Sequence, residues 1–197
     1  MRNLPLFVVC TLALGLASPV FAEKAPPKLK MIGVMQAELG EELSAETWKA
    51  LKAADRCANS DKTWLNAMRS EQQTGLDSLY EMMAAPVTCW QNAEKKAGKA
   101  GEQMGAVGVY VTAQKHYVQT MRAYVWALQA KALGDQLSGC KRFRLAIKES
   151  ADSVSASEGL LDLFSSVESK TIAGQLTQNI LGMGTTITDT YASVKCD

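Results

Sequence analysis

Residues 103–133 read QMGAVGVYVTAQKHYVQTMRAYVWALQAKAL, and this stretch decides the fold. Val107, Val111, Val118, Met121, Val125 and Leu128 recur at helical steps and share one stripe. No proline interrupts the pattern, and Gly134 with Asp135 ends it. At the α-helical rise the stretch predicts a rod of roughly 45 Å. Such a rod buries its stripe only if several other helices lie against it. The expectation is an all-α, single-domain helical bundle of five or six helices, organised on this long central helix.

On the C-terminal side, Asp135 can cap the next helix. Leu137, Cys140, Phe143, Ile147, Ala151 and Val154 give its apolar stripe, and the serine-rich run 153–157 with Gly159 bends or ends it. Leu160, Leu161, Phe164 and Val167 form a short apolar segment. A last helix is expected over 171–194, with Ile172, Leu176, Ile180, Met183, Ile187, Tyr191 and Val194 facing inward. Its threonines and glycines make it a poor helix former alone, so packing must hold it.

On the N-terminal side, Gly98, Gly101, Gly105 and Gly108 recur at three, four and three. They are either a smooth face where another backbone docks or a flexible entry to a helix that starts near Gln103. Pro86 restarts a short helix carrying Cys89, Trp90 and Ala93. A helix is expected over 61–83, with Trp64, Met68, Leu76, Leu79, Tyr80 and Met83 on one face and a kink or division at Thr74-Gly75. Asn59, Ser60 and Asp61 read as a break, preceded by a helix from the N-cap Ser44 to Ala58.

The chain opens like a secretory signal. Arg2 is followed by the apolar run 4–16, and Val20 and Ala22 stand at the −3 and −1 positions of a cleavage site after Ala22. The apolar run is short of the roughly 20 residues that span a bilayer. Cys10 follows Val9, not the small residue that a lipoprotein signal requires. Residues 1–22 are thus read as the signal, 23–43 as a mobile tail and lead-in containing Pro26-Pro27, and 44–197 as the bundle. No later stretch is apolar enough to cross a membrane. Lys115, His116 and Arg122 sit mid-way in the long helix, where hydrocarbon would penalise them.

Without Arg2 the chain carries 20 basic and 20 acidic side chains. A balanced charge argues against nucleic acid as a partner, because phosphates are met by a large positive field. Four cysteines follow the signal, Cys57, Cys89, Cys140 and Cys196, and in an exported protein an even number reads as two disulfides. There is no Asn-X-Ser/Thr sequon, which with the short signal points to a bacterial periplasm. If the last two long helices form an antiparallel hairpin, Cys140 and Cys196 lie at one end of it and can pair. Cys57 is left for Cys89, provided the chain folds back near Gly75; otherwise the pairing is crossed.

Catalytic and metal motifs are scarce. His116 is the chain's single histidine, and no Cys-X-X-Cys is present. As a base His116 lacks a carboxylate on its own helix, so the expectation is no metal and no cofactor. The methionines fall mostly on core stripes, where they act as packing residues. Glu149-Ser150 ahead of Gly159-Leu160 resembles the Glu-Ser motif of lytic transglycosylases over the dozen residues 149–160. The aromatic and glycine pattern of that family after its glutamate is missing here, so no activity is carried across. Glu149 with Asp152, and Glu158 with Asp162, are carboxylates at helical spacing, read as a solvated face.

Two features suggest a binding surface. Tyr110, Tyr117 and Tyr124 recur at seven, with Trp126 nearby, either as a core edge or as a recognition stripe. Lys141, Arg142, Arg144 and Lys148 crowd the start of a helix, the unfavourable end of its dipole for cations. They are either solvated charges or a site for an anionic partner. The expectation is a non-enzymatic exported protein that binds a protein partner in the cell envelope, as an inhibitor, an immunity-type protector or an accessory part of an envelope or secretion assembly. The alternative is a carrier holding a lipid or other apolar ligand between helices, and the third reading is a glycan-acting enzyme using one glutamate.

Overall fold

The computed structural model describes residues 31–40, 42–69, 75–194 and 196. The expected signal and the proline-containing part of the expected tail lie outside these residues. The described chain is helical throughout: α1 (Met31–Leu39), α2 (Ala45–Arg69), α3 (Leu76–Met82), α4 (Ala84–Ala100), α5 (Gly105–Ala132), α6 (Gln136–Ser157) and α7 (Val167–Ser193), with 3-10 turns at Gly101–Met104 and Leu160–Leu163. Five of these helices are long and two are short, and no strand occurs among the described residues. No helix is long and apolar enough to cross a membrane among the described residues.

The central rod is α5. Val107, Val111, Val118, Met121 and Val125 are all nearly inaccessible, as their stripe requires. Gly134 ends the rod at φ +72°, which L side chains rarely adopt. Its N–H donates to Lys131 O, and the N–H of Asp135 donates to Ala130 O, the paired bonds of a Schellman stop. Asp135 then caps α6 by accepting from the Ser138 N–H at 3.0 Å. One residue pair thus closes a helix and opens its antiparallel neighbour.

The second hairpin, α2 with α4, is tied by Cys57–Cys89, whose Cα atoms are 5.5 Å apart. The helix expected over 61–83 is divided: α2 ends at Arg69 and α3 starts at Leu76. The expected break at 59–61 is absent, and α2 runs through it. Asp61 is buried and accepts from Trp64 Nε1 at 3.1 Å, Trp90 Nε1 at 2.8 Å and Gln114 Nε2 at 3.1 Å. One donor a turn away and two from other helices outweigh the local preference of Asn-Ser-Asp for a turn. Burial raises the Asp61 pKa, and the three donors oppose it. The helix bearing Cys89 extends to Ala100, longer than expected, with Pro86 in its first turn.

The third hairpin, α6 with α7, is closed by Cys140–Cys196 at a Cα separation of 5.6 Å. The apolar stripe expected on α6 is corrected at its ends: Phe143 is buried and Ile147 packs beside it, but Leu137 is 70% exposed, and Ala151 and Val154 also face solvent. The buried face is Gly139, Phe143, Ala146, Ser150, Ser153 and Ser157. Against it α5 presents Ala123, Ala127 and Ala130. Small residues let two helices approach closely, so the small face turns inward and the larger aliphatics turn out. On α7 a Cβ at Gly184 would meet Ser150 Oγ at 3.0 Å, so this helix too sits close to the seam.

Within the expected lead-in, α1 is helical ahead of the clearer helix that starts at Ala45. Glu38 reaches across the molecule to the start of α7, accepting from the N–H of Ser165 at 3.0 Å and of Ser166 at 2.9 Å. Burial acts to raise its pKa, but these backbone bonds and the hydroxyls of Ser169 and Ser166 outweigh it and hold the value at about 2. A carboxyl depressed in the folded state stabilises above its unfolded pKa of 4.5, and that stability is lost as pH falls toward 2. We expect Glu38→Gln to lower the melting temperature at pH 7 and to converge on the wild type at pH 2. Parallel melting temperatures across this range would mean that the contact contributes nothing.

Candidate functional site

The tyrosine stripe is not a surface. Tyr110, Tyr117 and Tyr124 are 7%, 4% and 8% exposed, so the recognition reading for them is corrected to core. The reason is topological: α3, α4, α6 and α7 all pack against α5, and together they leave it no broad outward face. Tyr124 bonds Thr190 Oγ1 at 3.0 Å and lies edge-on to Phe143. The Tyr110 hydroxyl is raised in pKa by burial and then by the Asp61 charge.

The basic cluster is divided by the helical turn. Lys141, Arg144 and Lys148 are exposed along one side of α6, and Arg144 Nε donates to Tyr191 OH at 3.3 Å. Arg142 points to the other side, toward α5. Its guanidinium carbon lies 4.3 Å from the Trp126 ring centre, and it donates to Trp126 O at 3.1 Å. Trp126 stacks on Tyr80 at 6.2 Å and 24°. Arg122 covers Tyr80 at 4.2 Å and donates to Tyr80 O at 3.4 Å. The result is a half-buried ladder, Arg122–Tyr80–Trp126–Arg142, drawn from α3, α5 and α6. Neither arginine is ion-paired with a carboxylate among the described residues. Asp135 makes the basic cluster tolerable at the helix start. The Ser138 bonds, then the charges of Arg142 and Lys141, hold its carboxyl low.

A second cluster lies on the α5–α6 seam. His116, Glu149 and Asp152 each offer one ligand atom, all within 4.8 Å of one another. These three residues could hold a metal ion. His116 Nδ1 is buried without a hydrogen-bond partner, as are Gln119 Oε1 and Thr120 Oγ1 on the same helix and Ser153 Oγ on α6. Burial, then Lys115, depresses the His116 pKa, while Glu149, Asp152 and Glu94 oppose. The ring had no carboxylate on its own helix; the antiparallel neighbour brings two. The signal was present in register: His116 and Asp152 stand equally far along the chain from Gly134, as do Trp126 and Arg142.

Other expected features fall elsewhere. Ser150 is buried against Gly184. Glu158 caps α6 and Asp162 lies in the following 3-10 turn, so they do not share a helix face. Met83, Met104 and Met121 are packed in the core. Gly101 and Gly105 form the corner between α4 and α5 at positive φ, and nothing lies within 4 Å of a Cβ built on either. This removes the docked-backbone reading at those two positions. A shallow surface groove is bordered by Ala45, Trp48, Lys49 and Lys52. No protein-family model, curated protein or solved structure matches this chain.

Proposed function

We propose that this protein is exported to the periplasm, its signal removed after Ala22, and that it acts there without catalysis by binding an acidic protein partner of the cell envelope. The role is that of an inhibitor, an immunity-type protector or an accessory part of an envelope or secretion assembly. The two disulfides fit an oxidising compartment. The observation that carries the binding reading is the Arg122–Tyr80–Trp126–Arg142 ladder. Arginine, tyrosine and tryptophan are the residue types enriched where binding energy concentrates. Here their orientation is set by stacking before any partner arrives, and preorganisation lowers the entropy cost of association. Lys141, Arg144 and Lys148 lie along the same helix as Arg142 and add a positive field that speeds encounter with an acidic surface. A carrier role has less support, because the buried methionines fill the core and do not line a chamber.

The test is capture from an envelope extract by the protein and by three variants. Arg142→Glu should abolish salt-sensitive retention of the partner, and Trp126→Ala should weaken it by about 2 kcal/mol, roughly thirtyfold in Kd. Lys99→Glu, an exposed charge reversal on α4, should leave capture unchanged. Equal capture by all four proteins would remove the ladder from the binding face.

A further inference from the structure

We propose that His116, Glu149 and Asp152 form a binding site for one divalent transition-metal ion of the Zn2+ or Mn2+ class, bridging α5 and α6. The three ligand atoms already converge within 4.8 Å. Metal bonds of about 2.0–2.2 Å require them to close by small side-chain movements only. One imidazole nitrogen with two carboxylate oxygens is a borderline donor set, suited to these ions over Ca2+.

Three independent features favour a cation here. Neither carboxylate is ion-paired: among the described residues, the ion pairs are Lys49 with Glu46 and Lys115 with Glu94. Lys115, which neighbours His116 in sequence and acts on its charge, is ion-paired with Glu94 at 2.8 Å. Lys148, one turn from Asp152 on the same helix, also remains unpaired with it. The imidazole is not committed through its buried Nδ1, which has no hydrogen-bond partner. The site is graded in exposure, with His116 and Glu149 half-buried and Asp152 exposed. An ion held by three protein ligands would keep at least one position for water on the Asp152 side. Burial favours the neutral imidazole, the form that binds metal. This site is separate from the arginine–aromatic ladder, and neither proposal depends on the other.

The chain's composition makes the test clean. His116 is the only histidine, and Cys57, Cys89, Cys140 and Cys196 are consumed in disulfides. Untagged, chelator-stripped protein is titrated with ZnCl2, with heat and the nuclear magnetic resonances of the single imidazole recorded together. The expected result is one equivalent bound, a displaced set of ring resonances and a raised melting temperature. MnCl2 should broaden the same resonances, and CaCl2 should leave them in place. Glu149→Gln and Asp152→Asn should each weaken Zn2+ binding by tenfold or more while melting like the wild type without metal. Ring resonances unmoved by excess Zn2+, or variants that bind as tightly as the wild type, would overturn the assignment. An equal response to Ca2+ would also overturn it, reducing the cluster to nonspecific acidic attraction.

Discussion

Replacing Cys140 and Cys196 together with serine is expected to lower stability by about 4 kcal/mol. The bond spans 56 residues, and in the chain-entropy account its loss frees a long loop of the unfolded chain. For a chain of this size, that should lower the melting temperature by about 8–16 °C. The Cys57–Cys89 bond spans 32 residues and is expected to contribute nearly as much. Reducing both would remove about 8 kcal/mol, within the whole stability range of a typical domain. The reduced protein should then lose its cooperative melt near ambient temperature. Calorimetry with and without reductant, beside the two double-serine variants, checks this. If the Cys140/Cys196 variant melts with the wild type, packing of Tyr124, Phe143 and Tyr191 alone holds that end of the bundle.

Tyr117→Ala should cost about 3–5 kcal/mol, the usual range for deleting a buried aromatic ring. Tyr117 is 4% exposed and belongs to the main core cluster with Val118 and Met121. The cavity would open in the middle of α5, which α3, α4, α6 and α7 pack around. A drop in melting temperature of roughly 6–20 °C is expected. A melt within a degree or two of the wild type would mean that this face of α5 is accessible in solution. Reversing exposed Arg144 in the same experiment should have little effect on the melt, because it lies outside the core.

Much of the fold was legible because it rests on local rules. The α5 stripe, the stop at Gly134, the caps at Ser44 and Asp135 and the inward face of α7 are short-range patterns. The Cys140–Cys196 pairing followed from hairpin geometry once the helices were placed, whereas Cys57–Cys89 hung on a fold-back near Gly75 that the sequence left open against a crossed pairing. The errors share one cause. The break at 59–61 was overruled by three donors from other turns and other helices meeting at Asp61. The α6 stripe was misplaced because apolar periodicity weighs side-chain size, whereas the α5–α6 seam selects for smallness.

The candidate sites divide the same way. The sequence marked Arg142 and its basic neighbours as unusual, since cations at a helix start oppose the dipole. It did not show that Arg142 covers Trp126, or that Tyr80 and Arg122 extend the stack from another helix. It marked His116 as solitary, and along its own helix it is. By itself the sequence determined that the chain is helical and where its central rod stops, because these depend on neighbours within a turn or two. Only the tertiary structure decided that the tyrosines are core, that two arginines bracket two aromatic rings and that a histidine faces two carboxylates. Those outcomes depend on which face each helix turns to its neighbour, and that is set by packing over the whole bundle at once.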